Sequence, residues 1–81
     1  MAFSIKLHTR NSGMLDFNFT RLSTPKEIKY FVSVIDNHQN LYQFHMSEAN
    51  TGWKIIDNND IPQWIWDMES NLSNIIYNHP K

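Results

Sequence analysis

Ile28-Lys29-Tyr30-Phe31-Val32-Ser33-Val34-Ile35 is the stretch on which the fold turns, because it satisfies two patterns at once. At helical spacing, Ile28, Phe31, Val32 and Ile35 share one face. Thr24-Pro25-Lys26-Glu27 ahead of them has the form of a capping box with proline at the first helical position. Against this, Tyr30 to Ile35 is almost wholly aromatic and β-branched. Such side chains lose rotamer freedom in a helix and pack well on a pleated sheet. The residue types favour a strand over about 28–36. A helix there would give a β-α-β-β-α order instead.

Outward from this segment the pattern is period two. Tyr42, Phe44 and Met46 alternate with Gln43, His45 and Ser47 after the turn Asp36-Asn37-His38-Gln39-Asn40. Upstream, Phe3, Ile5 and Leu7 alternate with Ser4, Lys6 and His8, and Leu15, Phe17 and Phe19 with Asp16, Asn18 and Thr20. Asn11-Ser12-Gly13 between them reads as a tight turn. Trp53 and Ile55 follow the turn Ala49-Asn50-Thr51-Gly52. The strands predicted are about 3–9, 14–21, 28–36, 41–47 and 52–56.

The period then changes. Ile61, Trp64, Ile65, Met68, Leu72, Ile75 and Ile76 occupy one face of a helix over about 61–78. Asp60 is placed as its N-cap, Gln63 stands three residues on, and His79-Pro80 ends it. The sequence thus predicts an α+β fold: a five-stranded antiparallel β-meander with one C-terminal amphipathic helix packed on one face, in a single domain spanning 1–81. Its expected core is Phe3, Ile5, Leu7, Phe17, Phe19, Tyr42, Phe44, Trp53, Ile65, Met68, Leu72 and Ile76.

The pattern Tyr30-Phe31-Val32-Ser33-Val34, then Phe44-His45-Met46, Trp53-Lys54-Ile55 and Pro62-x-Trp64-Ile65 resembles that of small uncharacterised bacterial proteins with a β-meander and a terminal helix. That resemblance implies the fold and carries over no activity and no functional residues.

Composition narrows the function classes. The chain has 81 residues, a net charge of −1 and no cysteine. There is no basic surplus to neutralise a phosphate backbone, which argues against nucleic acid as the default partner. Absence of cysteine fits a reducing compartment. Met1-Ala2-Phe3-Ser4-Ile5-Lys6 lacks the apolar core of a signal peptide, and no apolar run approaches the ~20 residues that span a bilayer. The expected location is cytoplasmic, with no membrane contact.

No catalytic, cofactor or metal motif stands out. His8, His38, His45 and His79 have no zinc-type spacing. Asp57, Asp60, Asp67 and Glu69 cluster at the helix start, where acidic groups complement the helix dipole. Two glycines cannot build a phosphate cradle. Asn18-Phe19-Thr20 and Asn71-Leu72-Ser73 match the glycosylation pattern in a chain rich in asparagine, where such matches arise by chance.

Two features exceed what a monomer core requires. If Tyr30, Val32 and Val34 face the helix, Phe31 and Ile35 face away, and Leu41 and Ile56 join them in an outer apolar patch. On a continuous helix, Trp66 and Tyr77 lie opposite the core stripe with Ser70 and Ser73 between them, a second candidate docking strip. The expectation is a non-enzymatic protein-interaction module, a homodimer or a subunit of an assembly, whose partner is another protein or a second copy. The alternative is small-ligand or single-stranded nucleic-acid binding through sheet aromatics such as Tyr30, Phe31, Tyr42 and Trp53.

Overall fold

The computed structural model describes residues 2–10, 12–56 and 61–78. Five strands come first: β1 Ala2–Thr9, β2 Gly13–Ser23, β3 Ile28–Ile35, β4 Leu41–Ala49 and β5 Gly52–Ile55. Two helices follow, α1 Gln63–Trp66 and α2 Glu69–Asn78. The strands form one curled antiparallel sheet in sequential order. The fold is α+β, as the sequence predicts. Among the described residues no helix is long and apolar enough to cross a membrane.

The ambiguous segment is a strand, paired on both sides: Val32 lies opposite Phe19 on β2 and Phe44 on β4. The capping-box pattern ahead of it starts no helix and instead closes the β2–β3 hairpin, next to the Ser23–Ile28 pair. The Glu27 N–H donates to Thr24 Oγ1 at 3.1 Å, the hydroxyl donates to the Glu27 carbonyl at 3.0 Å, and the Thr24 N–H reaches the same carbonyl at 2.9 Å. These bonds close one turn and no more. Beyond it, two flanking strands supply partners for every backbone group, and Tyr30, Val32 and Val34 bury against the inner face.

That inner face is the core. Phe17, Phe19, Val32, Val34, Phe44 and Met46 are fully enclosed, with Ile65 and Leu72 above them from the helices. Phe3 stacks on Phe19 at 4.8 Å, and Tyr30 meets Trp53 edge-on at 5.1 Å. Four expected core members, Phe3, Ile5, Leu7 and Tyr42, are only half-buried. The first three point inward but sit on β1, the margin of the sheet, where only one neighbouring strand shields them. Leu15, Tyr30, Val32, Val34, Met46 and Ile55 complete the core in their place.

The predicted single helix is interrupted. The Met68 N–H donates to the Ile65 carbonyl at 2.9 Å, a three-residue step that tightens the chain before the Leu72 N–H resumes four-residue spacing to Met68. No proline or glycine marks the spot, so periodicity alone runs through it. Each half is held by a different part of the sheet. On α1, Trp64 meets Phe17 at 6.5 Å and Tyr42 at 5.7 Å, both edge-on. The expected N-cap, Asp60, lies outside the described residues; α1 begins after Pro62, whose carbonyl accepts from the Ile65 N–H at 3.0 Å.

α2 is fastened along β5. The Trp53 N–H donates to Ser73 Oγ at 2.8 Å and the Ile55 N–H to Glu69 Oε2 at 2.9 Å. Four helix residues rise ~6 Å and two strand residues advance ~6.6 Å, so the spacings match. Gly52 makes the approach possible: its φ is +126°, and a Cβ there would stand 2.6 Å from Ser73 Oγ.

Two stability measurements check this arrangement. Leu72→Ala empties a fully enclosed site and should cost ~2–5 kcal/mol in denaturant unfolding. Gly52→Ala should cost ~1–3 kcal/mol from backbone strain and the clash together. Because Ser73→Ala also removes the acceptor of the Trp53 N–H, the comparison is made in that background: there Gly52→Ala should cost less than in the unmodified chain by the clash alone, and no cost at all would show that the backbone conformation contributes nothing.

Candidate functional site

The inner face of the sheet is occupied by the core, so a binding surface must be sought on the outer face, along the edges or at the ends. Strand register decides what the outer face presents. Ser4, Asn18, Ser33 and Gln43 lie in one row across β1 to β4, each opposite the next. The Ser4 hydroxyl donates to Asn18 Oδ1 within that row. Thr20, Phe31 and His45 form a parallel row, and the Ile56 N–H bonds to the His45 carbonyl at 3.0 Å, which brings Ile56 alongside. On the other side of the polar row, Ile35 lies opposite Leu41.

The expected patch of Phe31, Ile35, Leu41 and Ile56 is therefore two islands rather than one. Phe31 and Ile35 stand four residues apart, ~13 Å along the strand, with the Ser33 row between them. The first island holds Phe31, half-buried against the His45 ring at 5.1 Å, with Ile56 beside it and Leu22 diagonal to it. The second holds Ile35 and Leu41, 52% and 54% exposed. Met14 joins it diagonally from β2 and is 55% exposed. Sequence reading passed over Met14, although its period-two phase with Asp16 and Asn18 places it on this face.

The helix strip divides as well. Trp66 belongs to α1 and packs half-buried against the core, because the tightened step at Met68 changes the phase between the helices. Ser73 is engaged by the Trp53 N–H, whereas Ser70 is exposed and Tyr77 is 76% exposed in the last turn of α2. Tyr77 has other company. It borders a groove of about 310 Å³ with Tyr30, Trp53, Arg21, Glu48 and Ile76, at the end where α2 leaves the sheet.

The outer face offers little for stacking bases. Tyr30, Tyr42 and Trp53 turn inward, which leaves Phe31 as its one aromatic among the described residues. His8 and His45 both lie on the outer face but three strands apart, ~14 Å, too far to share an ion. His79 lies outside the described residues, as do Asp57 and Asp60. The remaining acids of the helix start have structural partners. Asp67 accepts from Gln63 Nε2 at 2.9 Å and lies 4.0 Å from Arg10 Nη1, and Glu69 holds β5.

The most polar enclosed group is Asp36, in the turn between β3 and β4. Its carboxylate accepts from the N–H groups of His38 and Asn40, both at 2.9 Å, from Asn40 Nδ2 at 3.1 Å and from the Tyr42 hydroxyl at 3.4 Å. Gln39 adopts a φ of +68° to close the loop. The Asn40 N–H, more than any other contact, holds the Asp36 carboxyl below the usual range, against the opposing effect of burial. Burial, then the Asp36 charge, pushes the Tyr42 hydroxyl up. Every acceptor site of Asp36 is thus committed to shaping the loop beneath the Ile35–Leu41 pair. This is a turn clasp, with no free lone pair aimed at a substrate.

Compared with protein-family models, with curated proteins and with solved structures, the chain matches none. The functional reading rests on its own geometry.

The Asp36 clasp has a pH signature. A carboxyl held below its unfolded value contributes stability that is fully present above about pH 4 and is lost as pH falls through the folded value. Asp36→Asn should lower the melting temperature at pH 7, and the gap from the unmodified chain should close below about pH 4. A gap that stays constant across that range would show that the charge contributes nothing.

Proposed function

We propose that this chain is a non-enzymatic protein-interaction module that docks through the outer face of its sheet. One observation carries the proposal: Ile35 and Leu41 are directly opposed across β3 and β4, each more than half exposed, with Met14 exposed on the neighbouring strand β2. A directly opposed apolar pair stabilises a sheet when covered, and this one is left in water in the isolated chain. The core does not need these residues, since Val34 and Leu15 beside them already bury inward. Large apolar side chains left exposed at this end of the face, across the polar row from the Phe31 island, mark a docking surface. The loops at that end are braced against each other: Asn37 Nδ2 donates to the Ser12 carbonyl at 2.9 Å, and Asp36 clasps its own turn. A pre-ordered rim lowers the entropy lost on docking.

Binding of a small molecule is a second reading, favoured by the groove among Tyr30, Trp53 and Tyr77. Its volume of about 310 Å³ stands at the small end of ligand sites. Arg21 and Glu48 at its rim would select a molecule with both charges.

The outer-face reading is tested by quantitative capture from native extract with the unmodified chain and with an Ile35→Thr, Leu41→Lys double variant, which removes the apolar pair without setting like charges opposite each other. Exposed positions should tolerate the change, with each substitution shifting stability by ~0.5 kcal/mol or less. The expected outcome is a protein retained by the unmodified chain and lost from the variant. Equal recovery by both would remove this face as the docking surface. A parallel titration of the groove variant Tyr77→Ala, with capture unchanged, would separate the two readings.

A further inference from the structure

The two edges of the sheet are treated differently. Along β5, the outward N–H groups of Trp53 and Ile55 are taken by Ser73 and Glu69, and Lys54 pairs with Glu69 at 3.6 Å. A passing strand finds no donors there. β1 is twice as long, eight residues against four, and has a strand on one side only. Among the described residues, no side chain caps its far side from Ser4 to His8 in the way α2 caps β5. The inward row Phe3, Ile5 and Leu7 is half-buried for want of that neighbour. An uncovered edge of this length is a template for strand addition.

We infer that β1 is a homotypic pairing strand, in which a second copy lies antiparallel to it about a two-fold axis at Ile5 and the two sheets become one. The sequence of β1 is self-complementary in that register. Ile5 meets the second copy's Ile5, Phe3 meets Leu7, and Ser4 meets Lys6. All the apolar residues then fall on the inner face and complete the cover of each other's half-buried row. Ser4, Lys6 and His8 fall on the outer face, and no like charges stand opposite. Moving the axis to Lys6 would set two lysines face to face, and an axis at Ser4 would leave Leu7 without an inward partner within the strand. With a net charge of −1, long-range repulsion between copies is small. The inference is independent of the outer-face docking proposal, because it uses main-chain groups and the inner row of a different strand.

The chain has no cysteine, so a crosslink can be placed without background. Ser4→Cys and Lys6→Cys are purified separately, checked for native far-ultraviolet dichroism, mixed and oxidised. In the Ile5-centred register, residue 4 faces residue 6 of the second copy at ~5 Å between Cα atoms, within disulfide reach. Like residues stand on a diagonal at ~8 Å, beyond it. The expected result is a crosslinked pair containing one of each variant, at least several-fold above either variant alone. Those amides of Ser4 to His8 that face away from β2 should also exchange several-fold more slowly at high than at low protein concentration in the unmodified chain. Crosslinking no greater in the mixture than in the single variants, or exchange independent of concentration, overturns the inference. So does protection of those amides that appears only when another protein is added, which would make β1 a docking strand for a foreign peptide. Introducing Ile35→Thr and Leu41→Lys into both variants, with native far-ultraviolet dichroism retained, should leave the crosslink intact. Its loss would place self-association on the outer face and refute the edge.

Discussion

The attachment of α2 to β5 is the constraint on which the rest of this structure depends. A strand of four residues at the margin of a sheet has little to hold it: one neighbour, and two N–H groups turned to solvent. Here those two donors are satisfied by Ser73 and Glu69, which recur on the helix at the spacing the strand requires. The same attachment brings Leu72 and Ile76 into the core that includes Phe44 and Met46, so the main-chain capping and the burial of the core go together. Gly52 is the residue that allows it, since any side chain at that position would strike the Ser73 hydroxyl.

From that attachment follows the division of the sheet into guarded and unguarded regions. The helices cover the inner face from the β5 side, where α2 is fastened, and reach the β2 and β4 aromatics through Trp64. Phe3, Ile5 and Leu7 at the opposite margin keep part of their surface open. A helix segment of this length cannot shield five strands at once, because each strand adds ~4.8 Å of width while a helix covers ~10 Å. The open margin is thus a geometric consequence of one short helical cover placed at one edge.

The outer face shows how register converts composition into surface. Phe31 and Ile35 share a face, as alternation demands, yet Ser33 stands between them and its cross-strand partners Asn18 and Gln43 extend the polar row. The row breaks a patch that composition alone would join, and leaves apolar groups at the two ends. The end bearing Met14, Ile35 and Leu41 adjoins the β3–β4 turn, to which Asp36 commits its whole carboxylate. Docking surface and turn chemistry are coupled through two adjacent residues, Ile35 and Asp36.

What the sequence by itself determined was the set of elements and their order. Period-two segments around Phe17 and Phe44 demanded strands, the aromatic and β-branched run around Val32 favoured one over a helix, the period-3.6 segment after Ile61 demanded helix, and the short turns between strands demanded antiparallel neighbours. These are local consequences of backbone geometry, legible without coordinates. The exposed positions Ile35, Leu41, Ile56 and Tyr77 were legible for the same reason, from their phase. Only the tertiary structure decided the rest. The break between α1 and α2 carries no proline or glycine; it falls where the contacts pass from Phe17 and Tyr42, which meet α1, to β5, which holds α2. Trp66 lost its place on the outer strip with that change of phase. Met14 became part of a surface through residues on β3 and β4, not through its own neighbours in sequence. Phe3, Ile5 and Leu7 have the same alternation as any core strand, and what leaves them half-covered is their position at the margin, which depends on where the helix is fastened some seventy residues later.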